Sequence, residues 1–224
     1  MLAEPDPGGI DVSGYVIIGS TLAHSGYRLN LSGEVEPDSS FLDRIDGGGG
    51  YGDFVTFEES RYQEFTGSFG RRTATYGLRS DGVLFRWIPT STGQRRTSSY
   101  PGFASVKTMA LISKTRTYDT FLANTRGGAL YTVHIPTTSP MKPVVKPVRT
   151  RTWQGFEFLI AQKCGIRGTL LLGIDKDTQS AYLYAVGHAN GTATVIQGLG
   201  KVPGTFNDPV YFRWALPIDP LFGE

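Results

Sequence analysis

No stretch of this chain long enough for a stable helix keeps apolar residues at i, i+3, i+4 and i+7 between convincing caps. What recurs instead is a short run rich in Val, Ile, Thr, Tyr and Phe, closed on both sides by Gly, Pro, Asn or Asp. Such runs occupy residues 15–18, 75–78, 83–88, 120–123, 129–135, 169–174, 181–186, 192–196 and 210–214. The links between them are too short for helical crossovers, so the strands must pair antiparallel. The pattern predicts an all-β protein.

The turns set the register of the hairpins. Asp81-Gly82, between the runs at 75–78 and 83–88, is a pair suited to a tight turn, because Gly accepts positive φ. Gly127-Gly128 plays the same part in 120–133, the polar segment 175–180 does so in 171–186, and Ser25-Gly26 does so in 17–29. Three of these hairpins share a returning strand with Leu before an aromatic residue: Leu84-Phe85, Leu130-Tyr131 and Leu183-Tyr184. A further apolar segment precedes each, at 62–69, 103–112 and 153–160. An all-β chain with a period of roughly 45–55 residues reads as a propeller with about four strands per blade.

The 224 residues hold four or five such blades in one domain, 1–224. Loop insertions fall near 34–52, which contains four consecutive glycines from Gly47, and near 137–151, which is rich in Pro and basic residues. Residues 210–217 read VYFRWALP and echo VLFRWIP at 83–89, which suggests one structural slot used twice. A C-terminal strand completing a blade begun by N-terminal residues would close the ring and hide its open edges. A β-sandwich is the alternative architecture for short, regularly spaced strands.

The segment 76–85, and more loosely 121–131, carries a Y/F-x-L-x-x-x-G-x-L-Y/F pattern. Across roughly 62–184 this arrangement resembles tachylectin-type β-propellers, small lectins with blades near fifty residues. The resemblance implies a small propeller and a carbohydrate-binding role, without assigning individual sugar-binding residues.

Composition narrows the function. A formal net charge of +2 gives no electrostatic footprint for nucleic acid. Basic clusters occur at Arg71-Arg72, Arg95-Arg96 and 142–151, and the last reads as a solvated basic loop open to an acidic partner. One Cys and three scattered His residues exclude a Cys-rich zinc site or an H-E-x-x-H motif, so no metal or other cofactor is expected. No apolar run is long enough to span a membrane as a helix. No signal peptide is visible in residues 1–9, and the expectation is an extracellular mature fragment rather than a cytoplasmic chain.

Glu58-Glu59, Asp175/Asp177 and Asp208/Asp219 are the carboxylate pairs a glycosidase would need, but turn or strand geometry explains each. Cys164 reads as a small buried residue, and His24 and His188 as turn residues. Trp87 and Trp214 are expected in the core between blades. The candidate ligand-binding residues are Tyr100, Trp153, Asp175, Asp177, His188 and Asn190: two aromatic platforms and four polar turn groups. The expected function is a non-enzymatic binding module for glycans. The alternatives are a structural or protein-interaction component with a protein partner, and a propeller glycoside hydrolase.

Overall fold

A computed structural model describes residues 9–45, 50–64, 71–90, 93–215 and 220–224, with fifteen strands. They are β1 (Ile10–Ile18), β2 (Thr21–Leu29), β3 (Phe41–Arg44), β4 (Phe54–Gln63), β5 (Arg71–Arg79), β6 (Leu84–Thr90), β7 (Gly93–Tyr100) and β8 (Val106–Lys114). The rest are β9 (Tyr118–Thr125), β10 (Leu130–Pro136), β11 (Val144–Arg149), β12 (Phe158–Cys164), β13 (Gly168–Asp175), β14 (Ser180–Val186) and β15 (Ile196–Val202). They form four antiparallel sheets, β1–β3, β4–β7, β8–β11 and β12–β15, arranged in a ring as the blades of a four-bladed β-propeller. We number the blades 1 to 4 in chain order. Neighbouring blades meet along their inner strands, β4 against β8 and β8 against β12.

The repeat is written in one backbone hydrogen bond. The N–H groups of Tyr51, Phe103, Trp153 and Phe206 donate to Ser20 O (3.1 Å), Gly82 O (2.9 Å), Gly128 O (3.0 Å) and Gln179 O (3.0 Å). Each acceptor lies in the turn between the second and third strands of one blade. Each donor opens the path to the inner strand of the next. The four donors stand about 50 residues apart, the length of one blade.

Phe206 leads into residues 210–215, which run antiparallel to β1 and take the inner position of blade 1. Ser13 N–H donates to Ala215 O (3.1 Å) and Ala215 N–H to Ser13 O (2.9 Å). Blade 1 is thus built from both ends of the chain, as the closure argument expects. The expected strand at 210–214 is reduced to this one bridge. The shared Phe-Arg-Trp is not one slot used twice. Phe85-Arg86-Trp87 lies in β6, the third strand of its blade, whereas Phe212-Arg213-Trp214 lies in the innermost run. Trp214 is correspondingly half-exposed, beside Tyr27 and Phe212. Beyond, Gly223 N–H donates to Ile112 O and Lys114 N–H to Leu221 O, so residues 221–223 add to the free edge of β8.

Two apolar clusters form the core. One joins blades 2 and 3 through Tyr76, Leu78, Leu84, Phe121 and Val133, and the other joins blades 3 and 4 through Ile112, Leu122, Trp153, Phe156 and Leu171. Strands packed on both faces explain why Leu84, Phe85, Arg86 and Trp87 are all buried. Polar side chains stitch the same seams. Asp119, fully buried on β9, accepts from Ser60 Oγ (2.6 Å), Tyr76 OH (2.7 Å), Arg72 Nη1 (2.6 Å) and Arg72 Nη2 (2.7 Å). Burial works against the Arg72 charge, but hydrogen bonds and the charge of Asp119 outweigh it and raise its pKa. Burial, then the Asp119 charge, pushes the Tyr76 hydroxyl far above its usual range. Asn124 Nδ2 bridges blades 3 and 4 by donating to Trp153 O and Phe156 O.

Several expectations need correction. The Asp81-Gly82 and Gly127-Gly128 hairpins form, but with Ser80-Asp81 and Arg126-Gly127 at the centre of the turn: Gly82 N–H donates to Arg79 O and Gly128 N–H to Thr125 O, with Gly82 at φ 86° and Gly128 at φ 90°. Ser25-Gly26 is not a turn. Both residues lie inside β2, and the turn is Gly19-Ser20, with Gly19 at φ 61°. Gly26 is glycine because a Cβ there would fall 2.5 Å from Val12 O and 2.7 Å from the Phe41 ring. The insertions at 34–52 and 137–151 contain the outer strands β3 and β11. Residues 192–195 form no strand, and β15 begins at Ile196. The segment expected at 62–69 ends early: β4 stops at Gln63, and residues 65–70 lie outside the described residues, as do Gly47 to Gly49.

Candidate functional site

A cavity of about 530 Å³ occupies the central channel, lined by the inner runs of all four blades. The register shows which residues share a level. Thr56 pairs with Leu78, Thr108 with Asn124 and Phe158 with Ile174, in each case one residue before the turn begins. The Ser13–Ala215 bridge places Tyr211 at the matching level of blade 1. One residue earlier stand Val55, Lys107, Glu157 and Val210. Val55 and Lys107 are the extra residues of matching β-bulges, which turn them into the channel.

Each seam around this cavity is held by a different pair. Blades 2 and 3 meet through the Thr56 and Thr108 hydroxyls, 3.0 Å apart. Blades 3 and 4 meet through an ion pair of Lys107 Nζ with Glu157 Oε1. Lys107 Nζ also donates to Gln154 O (2.6 Å), and Glu157 Oε2 accepts from Lys176 N–H (2.8 Å). Blades 4 and 1 meet edge to face through Phe158 and Tyr211, 5.4 Å between ring centres. Blades 1 and 2 meet through buried Arg213, whose Nε lies 3.5 Å from Glu58 Oε2 and whose Nη2 donates to Glu59 O (3.2 Å). Six aromatic side chains contribute to the walls: Tyr15, Phe54, Phe57, Phe158, Tyr211 and Phe212.

The rim is made by the turns between second and third strands. Arg126, in the turn after β9, lines the cavity, and its Nη1 donates to Ala104 O (2.5 Å) and Val106 O (3.1 Å). Lys176, one residue into the equivalent turn of blade 4, holds its Nζ 5.7 Å from the centre of the Phe158 ring and donates to Pro209 O (3.1 Å).

The residues singled out from the sequence are not brought together. Trp153, expected as an exposed platform, is buried at 5% exposure against Phe156 and Tyr184, because its N–H is the inter-blade donor and its ring follows it inward. Tyr100 ends β7 at 39% exposure, with its ring 6.2 Å from Phe103. Asp175 closes β13 and Asp177 lies in the turn before β14, where Asp175 Oδ1 accepts from Thr178 N–H (3.0 Å). His188 and Asn190 are exposed in the connection after β14, at the other end of that strand. Trp87 is core, as expected.

His24 is a strand residue rather than a turn residue. It stands opposite Tyr15, its ring contacts Tyr15 and Phe41, and its buried Nε2 has no hydrogen-bond partner among the described residues. Burial first, then the Arg61 charge, lowers its pKa below 6.5. Cys164 is half-exposed at the end of β12, not buried. Asp219 lies outside the described residues.

The cavity residues themselves escaped sequence reading. The available signal was the set Tyr51, Phe103, Trp153 and Phe206: counting four residues on from each reaches Val55, Lys107, Glu157 and Val210. No group of three metal-ligating side chains occurs among the described residues. Comparison with family models, curated proteins and solved structures finds no match to this chain.

Proposed function

We propose that this chain is a non-catalytic binding module that takes a carbohydrate ring in its central cavity, in the manner of a tachylectin-type lectin. The observation that carries this reading is the cavity. At about 530 Å³ it has the volume of a small-molecule site, with aromatic and aliphatic side chains interleaved with charged and hydroxyl groups. Aromatic rings such as Phe57 and Phe158 offer faces to the C–H side of a sugar, and the polar groups offer partners to its hydroxyls. Two carboxylates line the cavity, and each already faces a cation: Glu58 with Arg213 and Glu157 with Lys107. Both carboxylates are already engaged in ion pairs, which favours binding over turnover.

A glycan array with soluble competitor tests this. The wild-type protein should bind a related set of sugars competably. Phe158→Ala should weaken that binding by about tenfold while the protein stays folded, a loss typical of one buried aromatic contact. A blank array for folded protein would overturn the reading. A protein-interaction role would then lead. The outer strands favour it, since Phe41 and Leu42 on β3 and Val144 and Val145 on β11 are exposed.

A further inference from the structure

We infer that the ligand of the cavity is anionic: a sugar carrying a carboxylate or sulfate, seated with its charge at the rim of blades 3 and 4. This rests on the reading of the cavity as a binding site.

The argument is a charge balance. Five charged side chains line the cavity, and four are committed to each other as Lys107–Glu157 and Arg213–Glu58. The fifth is Arg126. Only its Nη1 is engaged, and with carbonyls, so among the described residues it has no carboxylate partner. Lys176 stands at the same turn position of the neighbouring blade, beside the Phe158 ring that walls the cavity. It too has only a carbonyl acceptor among the described residues. The two equivalent positions on the other blades hold Gly19 and Ser80, which carry no charge. Among the charged side chains that line the cavity, the unmatched one is therefore Arg126, on the blade 3 side of the rim.

Among the described residues no aspartate lines the cavity; Asp177, next to Lys176 in the chain, and Asp208, next to Pro209, stand outside the lining. Asp175 Oδ1 accepts the Thr178 N–H of its own turn, and Asp81 pairs with Arg79. A guanidinium with free donors beside an ammonium group is a site for a carboxylate or sulfate, which takes charge-assisted hydrogen bonds from both. A ring bearing that group would reach the aromatic wall just below.

The test uses an array of uronate, sialylated and sulfated glycans. Each carboxylate member is paired with its methyl ester, which keeps the ring and removes the charge, and each sulfated member with its unsulfated parent. The acidic members should bind at least tenfold more tightly than their uncharged partners. Arg126→Gln and Lys176→Gln should each erase most of that difference, Arg126→Lys should keep part of it, and binding should weaken as salt rises from low to about 0.5 M. Thermal melts of each variant separate a lost contact from a lost fold. Equal, competable binding of charged and uncharged members would overturn the anionic inference and leave the cavity reading standing. An undiminished preference for acidic members in both Arg126→Gln and Lys176→Gln, with all binding lost in Phe158→Ala, would overturn the seating of the charge at this rim and leave the cavity reading standing. No binding to either set by folded protein would overturn both.

Discussion

Replacing Asp119 by Ala tests what holds blade 2 to blade 3. The carboxylate is fully buried and accepts four hydrogen bonds, from Ser60, Tyr76 and both terminal nitrogens of Arg72. Removal leaves a guanidinium and two hydroxyls facing a hole. Breaking one side of a buried ion pair costs about 3–5 kcal/mol. The Arg72 side chain keeps 20% exposure, so water can reach part of it, and the lower half of that range is expected. At roughly 2–4 °C per kcal/mol for a chain of this size, Tm should fall by about 6–16 °C. Urea and thermal unfolding followed by circular dichroism measure this directly. Arg72→Met strands the carboxylate instead, and should cost as much or more. The double variant should cost clearly less than the two singles added, by about 2 kcal/mol or more. A loss below about 1 kcal/mol for Asp119→Ala, or strict additivity of the pair, would refute the view that this cluster is a coupled buried network.

Glycine positions give a sharper contrast. Gly82→Ala forces a Cβ to within 2.1 Å of Ala104 N at φ 86°, so it should destabilise by several kcal/mol. Gly19→Ala at φ 61° meets open space and should cost only about 1–2 kcal/mol. Paired urea titrations rank the two. Gly14→Ala would place a Cβ 2.2 Å from Arg213 O, where residues 210–215 lie on β1. It should speed proteolysis within 205–224 well before the other blades open, as mass spectrometry of a limited digest would show. His24 binds its proton less readily in the folded chain than in the unfolded one. Stability should therefore hold above pH ~6.5 and decline as pH falls below it, and His24→Phe should flatten that decline between pH 7.5 and 5.

What the sequence disclosed follows from where each strand sits. Buried middle strands such as β6 and β13 are apolar on both faces, so LFRWI and TLLLGI stand out. Turns that demand positive φ announce themselves through Gly82 and Gly128. The outer strands β7 (GQRRTSSY) and β11 (VVKPVR) face solvent and carry charge or Pro, which blunts a free edge and also erases the pattern that would reveal a strand. Gly26 misleads because a glycine required by close packing inside a sheet looks the same as one required by a turn. The site was hidden for another reason. Its members are single residues from four distant inner runs, and only the bulges at Val55 and Lys107 and the ring closure bring them to one level. Trp153 drew attention as an aromatic residue in a loop, whereas its backbone N–H is what fixes its place.

The shared construction of blade 1 has a consequence for how the chain comes into being. Its outer three strands precede the other twelve in chain order, yet the run that covers the inner edge of β1 follows all fifteen. On the ribosome, β1 therefore waits with an unpaired edge through the making of three complete blades. That order makes the last step of folding a long-range capture, slow by the loop-closure rule. It leaves the newborn chain dependent on whatever shields that edge until residues 210–215 arrive.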